Sequence, residues 1–280
     1  MSAAVDRAVI PLAGLATRIQ PLARAFPKEM LPLGDRPVIH HVIDELVGAG
    51  VRHIVLVLGT RAEAIRRYFG CIPELDAALA ARGRGRDTDP IWRPLATADV
   101  ELSYVLQEEP AGVADAIARA RDVIEGRPCV VHMGDSVAWP SSTVISRMIQ
   151  AFEETDADMT VSVGDALVHA GVASAVAEPL DTGESVDRPF RVGRLLEQRP
   201  PGSAALPFVT GRYVFKGPLQ PWKGEVSDFG RLGGLAPLIK DPDAARVIGV
   251  PFGPHERLLG SGTLAEYHAS WHHILEGEQA

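Results

Sequence analysis

Arg18 and Lys28 flank an irregular stretch near the start of the chain, "AGLATRIQPLARAFPKEMLPL" over 13–33, with Gly14 and Thr17 just ahead of them. These residue types hold phosphate. A glycine lets backbone approach a ligand, a hydroxyl donates to it, a guanidinium offers planar paired donors, and an ammonium adds a compact positive charge. Pro27 restricts the backbone immediately before Lys28. Such a set suits a triphosphate cradle, whereas the glycine patterns of a dinucleotide fingerprint and of a P-loop are both missing. An exposed loop with two solvated cations has the same composition, and composition alone leaves both readings open. Further on, Asp135 leaves the apolar run "PCVVHMGD" beside a glycine. A carboxylate placed there suits a hard cation, and an ordinary turn aspartate is the alternative.

These residues need elements to position them. "RAVIPLA" reads as a strand buried on both faces, since its apolar residues run on without alternation. "PVIHHVIDELVGAG" predicts a helix, with Val38, Val42, Leu46, Ile39 and Ile43 on one stripe and Gly48 and Gly50 ending it. "HIVLVLG" is a second buried strand and "RAEAIRRYF" a second helix. "PELDAALAARGRGRDTDP" is read as a helix followed by a charged surface loop. The order resumes with "ELSYVLQ" as strand, "GVADAIARARDVIEG" as one helix, "PCVVHMGD" as strand, "TVISRMIQAFEET" as helix and "DMTVSVG" as strand. Beyond this, "GVASAVAE", "FRVGRLLEQ" and "ALPFVTGRYVFKG" are strand-like and separated by turn-rich segments, before a last strand, "RVIGVPFG", and a last helix, "GTLAEYHASWHHILEG". The expected architecture is α/β: a three-layer, Rossmann-like mixed sheet, mostly parallel, with a β-rich second half. Strand ends at the carboxyl edge of such a sheet are where ligands collect, and the Arg18 loop leaves the first strand there.

Composition narrows the class. At 280 residues and 46% hydrophobic content the chain reads as one domain over 1–280 with an ample core. No apolar run is long enough to span a bilayer, and "MSAAVDRAVI" lacks the character of a secretory signal. Two cysteines, Cys71 and Cys129, imply neither a disulfide framework nor a metal site. A cytoplasmic setting is expected. The net charge of −8 argues against nucleic acid or an anionic membrane as a partner, but not against a small anionic ligand held by local charges. The late pair His272/His273 lacks facing ligands and reads as a helix surface.

The opening stretch resembles the signature of the sugar-1-phosphate nucleotidyltransferases, which runs Gly-x-Gly-Thr-Arg, a proline-containing spacer, then Pro-Lys. "PKEMLPL" followed by "DRPVIHHVIDELVGAGVRHIVLV" is similar to bacterial UTP–glucose-1-phosphate uridylyltransferases, and the likeness continues through "YFGCIPELDAAL" to "TGRYVF". It implies transfer of a uridylyl group from UTP to glucose 1-phosphate or a related sugar phosphate, with pyrophosphate released and Mg²⁺ as cofactor. Ala13, Gly14, Leu15, Ala16 and Thr17 would line the nucleotide, and Arg18 and Lys28 would hold the departing phosphates. "QEEPAGVADAI" is similar to the uracil-recognition segment, which makes Gln107 and Gly112 base contacts. "VVHMGDS" matches the motif whose aspartate binds metal and substrate, here Asp135. By the same resemblance Gly171, Glu197, Arg199 and Gly211 would contact the sugar phosphate. The first half, about 1–140, would then bind nucleotide and the second, about 141–280, the acceptor. Relatives of this kind commonly form oligomers.

The pattern has four departures. Ala16 replaces the second signature glycine. Gln198 stands where the motif ending Glu-Lys-Pro carries its lysine, leaving Arg199 to supply the charge. Asp115 replaces a histidine or amide, and Gly260 in "LLGSGTLAEYHAS" sits where a second metal-binding aspartate is expected. Two readings follow from them: a transferase of altered substrate or activity, or a relative that binds nucleotide or nucleotide-sugar and acts through a partner.

Overall fold

Alternate residues of the first strand, β1 (Arg7–Leu12), enter different cores. Ala8, Ile10 and Leu12 join one apolar cluster, while Val9 joins another on the opposite face of the sheet. The same division runs along β4 (His53–Leu58), where Ile54, Leu56 and Leu58 face one way and Val55 and Val57 the other. A strand covered on both faces has no polar side to show, which is why the sequence reads as an unbroken apolar run. The computed structural model describes residues 4–85, 99–164, 175–181, 185–196, 206–217 and 245–277.

Helices cover both faces. α1 (Val38–Gly48) lays Ile39, Val42, Ile43 and Leu46 on the first core. Two short strands, β2 (Pro32–Leu33) and β3 (Arg36–Pro37), lead into it. α2 (Glu63–Phe69) follows β4, and α3 (Pro73–Ala80) buries no residue. After β5 (Glu101–Leu106), the stretch expected to form one helix is two, α4 (Val113–Arg119) and α5 (Arg121–Ile124). Ala116, Ile117 and Ile124 cover the second core. β6 (Cys129–His132) and β7 (Ser136–Trp139) precede α6 (Val144–Thr155), which packs Val144, Ile145, Met148 and Phe152 on the first core. The remaining elements are β8 (Met159–Gly164), β9 (Val176–Pro179), β10 (Phe190–Leu196), β11 (Phe208–Phe215), β12 (Val247–Pro251), β13 (Arg257–Gly260) and α7 (Leu264–Gly277).

The main sheet has the order β5-β4-β1-β6-β11-β8-β12-β10-β9. The expectation of a mostly parallel sheet is corrected here. β5, β4, β1 and β6 are mutually parallel and β8 is parallel to β12, but β11 runs antiparallel to both β6 and β8, and β10 antiparallel to both β12 and β9. The sheet is mixed, because the strand–helix alternation of the first half is not kept at β9 and β10. No helix is described between β9 and β10, and without a helical crossover, successive strands pair antiparallel. Cys129 is a buried strand residue whose thiol burial pushes up to about 12, while Cys71 is exposed. No helix among the described residues is long and apolar enough to cross a membrane.

One polar cluster threads the core. Glu45 of α1 accepts from Arg212 Nε and Nη2, each at 2.9 Å, and from the Ala138 amide at 2.6 Å. Arg212 also donates to the Thr210 carbonyl at 2.8 Å. Burial pushes the Glu45 carboxyl up, but Arg212 and then His132 override it and hold the group down to about 2. His132 is held below its ordinary value, first by burial and then by Arg212. The cluster joins α1, β7 and β11 directly beneath the strand ends described next.

Candidate active site

The four parallel strands β1, β4, β5 and β6 end on one edge of the sheet, and a cavity of about 590 Å³ opens there. Its walls include Ala13, Gly14, Leu15, Arg18 and Lys28 from the loop after β1. Gln107, Gly112, Asp135 and Gly211, also expected from the sequence, line it as well. Residues more than a hundred positions apart therefore converge as the motifs required.

The loop after β1 has its own support. Three 3₁₀ turns, Thr17–Ile19, Leu22–Arg24 and Lys28–Met30, bury Ile19, Ala23 and Leu31 in a small apolar cluster that Leu264 and Tyr267 of α7 pack against. Tyr267 Oη and Trp271 Nε1 both donate to the Pro32 carbonyl, at 2.8 and 3.0 Å. The last helix thus clamps the loop. At Gly14 a side chain would meet nothing within 4 Å, so the space above that backbone is open to a ligand. Ala16 adopts φ 51° and ψ 43°, the left-handed region where glycine carries no Cβ penalty. It lines an adjoining crevice rather than the main cavity, and Thr17 is exposed and lines neither.

Lys28 Nζ sits 2.5 Å from Asp135 Oδ2. Burial alone would lower the ammonium's affinity for its proton, but Asp135 and Glu29 outweigh it, and the lysine is held above its ordinary value. Asp135 is held below its own against burial by Lys28, with Arg18 contributing. Both stay charged across the neutral range. Among the described residues no hydrogen bond or ion pair holds the Arg18 guanidinium, which faces the cavity. Glu29 is buried beside them, and burial raises its carboxyl to about 7.

Gln107 is buried, and its Nε2 donates to the Gly112 carbonyl at 3.0 Å and to Asp115 Oδ2 at 2.7 Å. Both partners accept, so the amide orientation is fixed and Oε1 remains as an acceptor. Asp115, one of the four departures, is neutralised by Arg119 at 2.6 Å and serves to hold this glutamine. Gly112 has φ 93°, a conformation that side chains rarely adopt, and starts α4 against the cavity.

Gly134 lets β6 end against β1: a Cβ there would collide with Leu12 Cδ2. Gly211, with φ 81°, sits in an irregular stretch of β11, and its carbonyl accepts from the Met133 amide at 2.9 Å. β13 pairs with β7 so that Gly260 stands opposite Ser136, next to Asp135. The Ser261 amide donates to the Asp135 backbone carbonyl at 2.8 Å, so residue 260 lies beside Asp135 in the chain trace. Gly171, Glu197, Gln198 and Arg199 lie outside the described residues. The sequence reading missed Glu29, Thr210 and Glu266 as cavity residues. Glu29 had a signal, its place next to Lys28 in "PKEM", whereas Thr210 and Glu266 had none. His40 and His41 are buried near the start of α1, where His41 Nε2 lies 2.7 Å from the Leu33 carbonyl.

Helices thus cover both faces of a mixed sheet, and a loop carrying Arg18 and Lys28 meets the Asp135 carboxylate at adjacent strand ends. Residues 7–219 match the family described as nucleotidyl transferase, and the chain belongs to that family. Its relatives include the UTP–glucose-1-phosphate uridylyltransferase of Bacillus subtilis (strain 168), 32% identical over 212 residues that cover 75% of this chain and 70% of that one. A second enzyme of that name from Staphylococcus saprophyticus is 32% identical over 214 residues, covering 75% and 71%. Among solved structures, UTP-bound UGPase from Acinetobacter baumannii is similar with a TM-score of 0.77 and 25% identity, over 98% of each chain. An apo UDP-glucose pyrophosphorylase at 19% identity shares the fold, with a TM-score of 0.79 over 98% of this chain and 99% of that one.

Proposed function

We propose that the protein transfers a uridylyl group from UTP to glucose 1-phosphate, releasing pyrophosphate. The observation that carries this reading is the meeting of Arg18, Lys28, Gln107, Gly112 and Asp135 around one cavity at the carboxyl ends of parallel strands. The relatives' names supply the substrates, and the noncatalytic alternative gains no observation of its own.

Chemistry of this kind asks mainly for positioning and charge neutralisation. Gln107 Oε1 is oriented to accept from the uracil N3–H, and the open backbone at Gly14 leaves room for the nucleotide. Arg18 and Lys28 face the phosphates and offset the charge that accumulates on the leaving pyrophosphate. An oxygen of the sugar phosphate attacks the α-phosphorus in line as the bond to pyrophosphate breaks. Gly211 and Ser136 line the wall where the acceptor approaches, and by resemblance Gly171, Glu197 and Arg199 serve the same ligand.

The cavity's chemistry fits a divalent cation, with Mg²⁺ our assignment. Asp135 is a carboxylate only a quarter exposed, its donor atoms are hard oxygens, and a lysine ammonium already sits against it. Asp135 would hold the metal, which when bound would neutralise phosphate charge. Lys28 would then leave Asp135 for the phosphates. The test is pyrophosphate release from a panel of nucleoside triphosphates and sugar 1-phosphates. Release is expected with UTP and glucose 1-phosphate, and its absence from every pair would overturn the reading.

A further inference from the structure

Among the described residues, Glu29, Asp135 and Glu266 share the cavity lining with Arg18 and Lys28. Even with Glu29 protonated, the remaining charges cancel. A triphosphate entering this site meets no net positive field from these side chains, so a cation must enter with it. The position of Glu266 indicates where. A Cβ at Gly262 would lie 2.9 Å from Glu266 Oε2 and 3.7 Å from Asp135 Oδ2. The sum of these distances bounds the gap between the two oxygens, within reach of one hydrated divalent ion, which keeps several of its waters. A Cβ at Gly260 would lie 3.6 to 3.8 Å from Glu266 Cβ, Cδ and Oε2. The glutamate therefore lies in ordinary contact with the position a side chain at 260 would take, and the two glycines leave it room. Its helix turn is fixed, since the Glu266 amide donates to Thr263 Oγ1 at 3.1 Å. Ser270 Oγ is 3.0 Å from both the Gly260 amide and the Gly260 carbonyl. Among the described residues no hydrogen bond or ion pair engages the Glu266 carboxylate.

We propose that Glu266 is the second carboxylate of the cation site, reaching across Gly260 and Gly262 from the first turn of α7 to act with Asp135. The chain carries this charge on the helix rather than at the end of β13. The proposal rests on the metal reading of Asp135, and the two are separable by experiment. Mn²⁺ is titrated into nucleotide-free protein, with free Mn²⁺ followed by electron paramagnetic resonance. The proteins are wild type, Asp135→Asn, Glu266→Gln and the double variant Glu266→Gln/Gly260→Asp. Asp135→Asn and Glu266→Gln are each expected to weaken binding about tenfold, in the range seen when metal-site partners are removed. Gly260→Asp should restore it in the Glu266→Gln background, because its contacts there are ordinary. Unchanged binding in Glu266→Gln, with loss in Asp135→Asn, overturns the role of Glu266 and leaves Asp135 standing. No change in either variant overturns both. Loss in Glu266→Gln without restoration assigns the effect to the helix terminus and also overturns the proposal.

Discussion

Replacing Glu45 by glutamine keeps the side chain's size and removes its charge, leaving the Arg212 guanidinium buried without a counterion. Glu45 is 5% exposed and Arg212 not at all, and the glutamate also receives the Ala138 amide. Breaking a buried pair from one side costs about 3–5 kcal/mol. The pKa gives a similar figure: a fall from 4.5 to about 2 is worth roughly 3 kcal/mol. At about 2–4 °C per kcal/mol for a chain of this size class, Tm should fall by on the order of 10 °C. The carboxyl is lowered on folding, so its contribution is full above pH 4.5 and is lost as pH falls through about 2. The gap between wild type and Glu45→Gln should therefore be widest near neutrality and close in strong acid. Urea unfolding across pH measures this. Replacing both partners by methionine should recover much of the loss, since an apolar pair leaves no uncompensated charge. A Glu45→Gln variant within about 1 kcal/mol of wild type at pH 7 would refute the reasoning.

Arg18→Ala should weaken UTP binding roughly tenfold by calorimetry with Tm little changed, since a charged hydrogen bond is worth about 1.5–3 kcal/mol and, among the described residues, no other partner holds this side chain. Thermal shifts should rank UTP above CTP, ATP and GTP, because the fixed Gln107 presents an acceptor that suits the uracil N3–H; equal stabilisation by a purine triphosphate would sink the base assignment. In metal-free protein, stability should fall by about 3 kcal/mol as pH rises from 4.5 to 7, because the Glu29 carboxyl is raised to about 7 and the folded state holds its proton longer than the unfolded chain. Glu29→Gln should flatten that slope, and an unchanged slope would show that Glu29 is not its source.

Much of this was legible in the sequence, for identifiable reasons. β1, β4, β6 and α1 were readable because a doubly covered strand is continuously apolar and a one-sided helix is periodic. The meeting of Arg18, Lys28 and Asp135 around one cavity was readable because phosphate chemistry narrows the residue types at each step. β2, β3, β7 and β13 are two to four residues long, too short to show a period. The parallel count was overestimated by extending the first half's rhythm to β9, β10 and β11, which run antiparallel to their neighbours. Glu45 and Arg212 lie 167 positions apart, and neither is unusual in its own segment. Glu266 was invisible for a related reason. Gly260 reads as a loss in one dimension, and only the fold shows a carboxylate from the next helix standing over it.

A crystal structure with UTP and Mn²⁺, with the metal located by its anomalous signal, tests the central claim most directly. The account predicts the metal bound to Asp135 and to the phosphates, Arg18 and Lys28 on the departing phosphates, and uracil against Gln107 and Gly112. A metal away from Asp135, or a nucleotide outside the cavity at the strand ends, would contradict it.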